Sequence, residues 1–136
     1  MLTQLKDHVL SWVPQEPTAD LCPDTLQALS ALMLAQAQDA IYMKAAKGWR
    51  CIDDLSTIYL TADKMKPGIL VKISNQCADL YQEANRLMSR DVVKGMWEKE
   101  WLPTVTGKQL AFSALAQYHR AQECKEAKVR VALFEI

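Results

Sequence analysis

Few side chains in this sequence have the types needed for chemistry. They are two histidines (His8, His119), four cysteines (Cys22, Cys51, Cys77, Cys124), the adjacent carboxylates Asp53 and Asp54, one Gly-Lys step in VTGKQ, and Trp97 with Trp101. Catalysis would require a nucleophile with its base, a metal cluster, or carboxylates in an enclosed site. The histidines fall in different predicted helices with no motif around either, and His119, beside Tyr118 in AQYHRA, reads as a helix-surface imidazole. Neighbouring carboxylates on a helix or loop point apart, so Asp53 and Asp54 read as solvated rather than as an acid/base dyad. The cysteines show no CxxC pair and no histidine at metal-ligand spacing, which predicts reduced, mostly buried thiols and no metal. The Gly-Lys step lacks the rest of a phosphate loop. Trp97 and Trp101, four apart, would stack along a helix as an aromatic platform. The acidic groups between them in WEKEW disfavour nucleic acid and favour interhelix packing. The expectation is a protein that is not an enzyme and needs no cofactor.

The elements that must carry these residues are helical. Leu2, Leu5, Val9, Leu10 and Val13 give a first helix ending near Trp12, before Pro14 and Pro17. Pro23 or Asp24 opens a second, from Thr25 to about Ala46, with Leu26, Leu29, Met33, Ala37, Ala40 and Lys44 on its predicted inward face. Its alanines suit close helix approach. A third helix starts between Asp63 and Pro67 and ends near Met88, with Ile69 or Leu70, Ile73, Cys77, Leu80, Ala84 and Leu87 as its stripe. A short helical piece with Trp97 and Trp101 leads to Pro103. A last helix is then predicted from about Val105 to Lys128, with Leu110, Ala114, Leu115, Tyr118 and Ala121 inward. Only the terminal VRVALFEI alternates with period two, predicting a short strand or an unstructured tail. The fold class is all-α, built from antiparallel helical hairpins.

Composition sets the outer bounds. A chain of 136 residues, half of them hydrophobic and 24% charged, predicts one globular domain. Sixteen basic residues balance sixteen acidic ones, so no electrostatic footprint points to nucleic acid or an anionic membrane. No apolar run approaches the roughly 20 residues that span a bilayer, and no signal peptide opens the chain, so the expected compartment is the cytoplasm.

Three collinear blocks carry a resemblance. The run DHVLSWVPQEPTADLCPDTLQALSALMLAQAQDAIYMKA, with MLAQAQ its most specific piece, closely resembles the BRO domain (BRO-one) of Alix-type ESCRT-associated proteins. DKMKPGILVKISNQCADLYQEA and KEWLPTVTGKQLAFSALAQYHRAQECKEAK are similar to the helices that follow in that family. The resemblance implies a tetratricopeptide-like solenoid of helical hairpins. It also implies a partial BRO domain over residues 1–136, since the family domain is longer and begins with β-strands and helices not found here. In Alix the residues matching Lys44 and Ala45 run almost directly into the DKMK segment, so residues 46–60 read as an insertion and 129–136 as an atypical tail. A junction resembling an intron's start at Val129-Arg130 suggests a product of a partial or aberrantly spliced transcript.

The family also implies a partner. Its concave apolar patch binds the C-terminal amphipathic helix of an ESCRT-III subunit, in endosomal sorting and membrane scission, peripheral to endosomes. By motif the patch falls on Ile41 in QDAIYMKA and on Ile69 and Ile73 in DKMKPGILVKIS. Ile69 and Ile73 are one turn apart and project together, as a helix-in-groove site requires. Each isoleucine buried contributes roughly 1.5–3 kcal/mol gross, which after association costs suits binding on the order of micromolar. The alternatives are a helical scaffold or inactive fragment in which these isoleucines are core, and a piece of the related phosphatase-like BRO protein, whose enzyme signature these residues lack.

Overall fold

Proline opens two of the three long helices, where its missing amide is not needed and its fixed φ suits the first turn. The computed structural model describes residues 2–5, 18–50 and 66–135. They form α1 (Pro23–Arg50), α2 (Pro67–Met88) and α3 (Trp101–Phe134), with 3-10 turns at Ala19–Leu21 and Lys94–Met96 and a helical turn at 2–5. No strand occurs among the described residues. The all-α antiparallel architecture is therefore as the sequence predicts.

Local chemistry fixes the helix starts. The Thr25 hydroxyl donates to the Ala19 carbonyl at 2.7 Å, tying the 3-10 turn to α1. Asp24 lies in the first turn, where a carboxylate complements the helix dipole, and it pairs at 3.0 Å with Arg90, just beyond the end of α2. That pair and the Gln38–Gln76 hydrogen bond at 3.1 Å set α1 and α2 antiparallel. At the other interface the rings of Tyr81 and Phe112 stack with centroids 5.8 Å apart, and the start of α2 at Gly68 lies against Glu123, so α3 runs antiparallel to α2. A Cβ on Gly68 would sit 2.7 Å from the Glu123 carboxylate, the free end of an exposed side chain that can swing aside.

The core lies mainly along α2. Leu70, Cys77, Tyr81, Ala84, Leu87 and Met88 are buried between Ala28, Ala35, Tyr42 and Ala45 of α1 and Val105 and Phe112 of α3. The buried Ser74 hydroxyl is satisfied by the Leu70 carbonyl at 2.7 Å.

Several expectations are corrected. The face of α1 predicted to be inward holds only at its start: Leu26 is buried and Leu29 half-buried, but Met33 is 59% exposed, and Ala37, Ala40 and Lys44 are exposed. Alanines and aliphatics surround this helix, so periodicity did not single out a face. Tyr42 and the small Ala28 and Ala35 occupy the interface instead. The outward stripe meets the turn at 2–5, where Thr3 and Ser30 hydroxyls lie 3.2 Å apart. In α3 the buried residues are Val105, Phe112, Ala116 and His119, whereas Leu110, Ala114, Tyr118 and Ala121 are exposed; Leu115 is partly buried, as predicted. Pro103 falls inside the first turn of α3, where it breaks nothing, so one helix replaces the predicted two pieces. The tail VRVALFEI is helical through Phe134, not a strand or coil, because in α3 it prolongs a helix already nucleated.

Trp97 and Trp101 stack at 5.8 Å, but Trp97 precedes α3 and donates its indole N–H to the Met88 carbonyl at 3.0 Å, closing the α2–α3 connection. The start of α2 at Pro67 and its end at Met88 agree with the sequence reading. α1 extends to Arg50, so residues 46–50 of the expected insertion are helical. Most of the first predicted helix, with His8, and the stretch holding Cys51, Asp53 and Asp54, lie outside the described residues.

Candidate protein-binding surface

The hairpin of α1 and α2 carries the three isoleucines singled out in the sequence. Gln38 donates from Nε2 to Gln76 Oε1 across it. Ile41 on α1 and Ile73 on α2 each lie three residues from that bridge, toward the same end because the helices are antiparallel, and Ile69 lies one further turn along α2. The register thus brings all three to one side of the hairpin. They are not equally free. Ile41 is 51% exposed and Ile69 44% exposed, whereas Ile73 is partly buried and packs against the core. Pro67 and Leu70, flanking Ile69, are buried, so the start of α2 presents Ile69 outward from a fixed turn.

The other side of α1 is built differently. Asp39 accepts from the Tyr81 hydroxyl at 2.9 Å and from the Lys108 ammonium at 2.7 Å, linking all three helices at one carboxylate. One turn on, the Tyr42 hydroxyl and His119 Nε2 lie 2.9 Å apart, and the Tyr42 ring meets Phe112 edge-on at 5.2 Å. His119, read from sequence as a surface residue, is buried, because α3 places it against Tyr42. Burial holds its imidazole pKa below the usual value. Burial also pushes the Tyr81 phenol up, reinforced by its hydrogen bond to Asp39, and pushes the Cys77 thiol up to about 12, reinforced by the Asp39 charge. Cys77 is accordingly an inert core residue. Cys22, Cys77 and Cys124 are free thiols, and Cys124 is exposed rather than buried as expected.

A shallow cleft of about 250 Å³ opens on this side, with Tyr81 at its base between Leu32 and Gln36 of α1 and Trp101, Val105 and Lys108 of α3. Its charged side chain, Lys108, already faces Asp39. Among the described residues no group of three His, Cys, Asp or Glu side chains could hold a metal ion. No helix among them is long and apolar enough to cross a membrane.

Sequence reasoning missed the interhelix polar set of Asp39, Tyr42, Tyr81 and His119, with the half-exposed Lys108 at its edge. The one available signal was the placing of Asp39 and Tyr42 three apart in the middle of an alanine-rich helix, where a lone carboxylate needs a partner.

The geometry agrees with what this chain is similar to. The profile of the BRO1-like domain matches residues 1–131. The chain is 51% identical over 128 residues to Apoptosis-linked gene 2-interacting protein X 1 of Caenorhabditis elegans, covering 94% of this chain and 13% of that protein. Against Programmed cell death 6-interacting protein of Mus musculus it is 38% identical over 124 residues, covering 91% and 12%. Against Vacuolar protein-sorting protein bro-1 of Neurospora crassa it is 32% identical over 139 residues, covering 100% and 12%. Among solved structures, an ALIX BRO1 CHMP4C complex matches with a TM-score of 0.75 at 34% identity, covering 93% of this chain and 30% of that one. ALIX in complex with the SIVmac239 PYKEVTEDL late domain matches with a TM-score of 0.74 at 33% identity, covering 94% and 16%. The chain therefore spans 12–13% of the length of these sequence relatives. A helical stack of this topology, matched by the family profile along nearly all of its length, belongs to the BRO1-like domain family.

Proposed function

We propose that this chain is a protein-binding adaptor segment that receives the C-terminal amphipathic helix of an ESCRT-III subunit in the α1–α2 groove, through Ile41, Ile69 and Ile73. The observation that carries this reading is the exposure of Ile41 and Ile69 on one side of a well-packed hairpin. Large aliphatics held outward from rigid helices suit helix-in-groove recognition, in which apolar anchors one turn apart seat a partner helix. The solved ALIX BRO1 complex with CHMP4C supports a partner of this class, and the family resemblance supports a role in ESCRT-dependent sorting, peripheral to endosomes. The role is non-enzymatic and uses no cofactor. One observation favours the scaffold reading for a single residue: Ile73 packs against the core.

The test follows from this difference. A fluorescent peptide of the ESCRT-III C-terminal helix is titrated with the chain and with Ile41→Asp, Ile69→Asp and Ile73→Asp variants. Saturable binding near micromolar that weakens at least tenfold in Ile41→Asp and Ile69→Asp, with far-UV helicity unchanged, is expected. Ile73→Asp loses binding together with some helicity. Unchanged affinity in the first two variants would overturn the assignment.

A further inference from the structure

The α1–α2 groove is not uniformly apolar, and its polar crossbar has spare hydrogen-bonding capacity. Gln38 and Gln76 share one hydrogen bond of 3.1 Å, from Gln38 Nε2 to Gln76 Oε1. Among the described residues, Gln38 Oε1 and Gln76 Nε2 have no other partner. Either orientation of the two amides leaves one acceptor and one donor free. The crossbar lies between two apolar stretches. Ile41 and Ile73 stand three residues to one side, and the half-buried Leu80 of α2 stands four residues to the other, where Leu34 of α1 shares a depression with Leu2 and Thr3. A helix lying along the groove would therefore cross the amides in its middle and seat its apolar residues on both sides.

We propose that the Gln38–Gln76 pair is a specificity element of this groove, which selects a partner helix carrying a primary amide, glutamine or asparagine, between its apolar anchors. The inference rests on the groove reading given above. A carboxylate on the partner can only accept, and leaves its lone pairs facing Gln38 Oε1; an ammonium can only donate, and faces the Gln76 amide hydrogens. A primary amide donates to one and accepts from the other at once. An apolar residue at that place strips water from both groups and returns nothing, so the groove discriminates by the cost of leaving polar atoms unpaired.

Anisotropy titrations with two labelled amphipathic helical peptides, identical except for glutamine or methionine at the central position, test this. The chain is compared with a Gln38→Met, Gln76→Met double variant and with Ile69→Asp, each checked for helicity by far-UV circular dichroism. The chain is expected to bind the glutamine peptide about tenfold more tightly than the methionine peptide. The double variant is expected to lose or reverse that preference, and Ile69→Asp to weaken both peptides alike. Equal affinities of the two peptides for the unaltered chain would overturn the specificity role while leaving the groove intact, and that result does not depend on how the double variant folds. A preference that persists in a helical double variant would overturn it as well. Absence of saturable binding to either peptide, or binding indifferent to Ile69→Asp, would overturn the groove reading and this inference with it.

Discussion

The two sides of α1 solve opposite problems with neighbouring residues. Toward α3, polar side chains are drawn inward and satisfied: Asp39 by Tyr81 and Lys108, Tyr42 by His119. On the face that Gln38 and Gln76 share, aliphatic side chains are left outward, with Ile41 of α1 and Ile69 of α2 about half exposed. Position 41 and position 42 are adjacent in sequence yet have opposite fates, because a helix turns about 100° per residue. Buried polar groups with partners fix how three helices sit together. Exposed apolar groups contribute nothing to that and are available to a partner.

Breaking the α3 side should have the largest effect on stability. Phe112 contacts both Tyr42 and Tyr81 and is 4% exposed, so Phe112→Ala should cost about 3–5 kcal/mol in denaturant unfolding. Ile41→Asp, on the opposite side, should leave the unfolding midpoint nearly unchanged while weakening partner binding at least tenfold. If both substitutions destabilised the fold equally, the distinction between the two sides would collapse.

The pH dependence sharpens the same contrast. His119 has a depressed pKa in the folded state, so the unfolded chain binds its proton more readily. Its contribution to stability is therefore complete above the unfolded value near 6.5 and is lost as pH falls from there through the depressed folded value. Thermal unfolding between pH 7.5 and 5 should show this loss, and a His119→Gln variant should show less of it. A pH profile unchanged by the substitution would assign the acid sensitivity elsewhere. The smallest effect is expected at Lys108, whose side chain is 47% exposed: Lys108→Ala should cost no more than about 1 kcal/mol, less at high salt.

Legibility from sequence followed the strength of the pattern. In α2 an apolar stripe recurs at helical spacing, so the sequence places its end near Met88 and brackets its start between Asp63 and Pro67, where the structure has Pro67. In α1 and α3 the pattern is weak, because alanine and aliphatic residues occur on every face. Met33, Ala37 and Ala40 were placed inward, and Leu110 and Tyr118 with them, although the structure leaves all five exposed. Pro103 was read as a break because a proline in the first turn and a proline between helices look alike without the flanking geometry. The isoleucines of the candidate groove came from family resemblance on their motifs; spacing alone paired only Ile69 with Ile73.

By itself the sequence determined the class of the fold, the family, and the C-terminal end of the best-patterned helix, since these depend on local propensity and on motifs in collinear order. Only the tertiary structure decided which face of α1 and α3 turns inward, that His119 is a buried partner of Tyr42, and that Gln38 of α1 bridges to Gln76 of α2. The reason is physical. Periodicity specifies a face only where the other faces are unfit for burial, whereas a hydrogen bond between residues 77 apart in the chain exists only once the helices have packed.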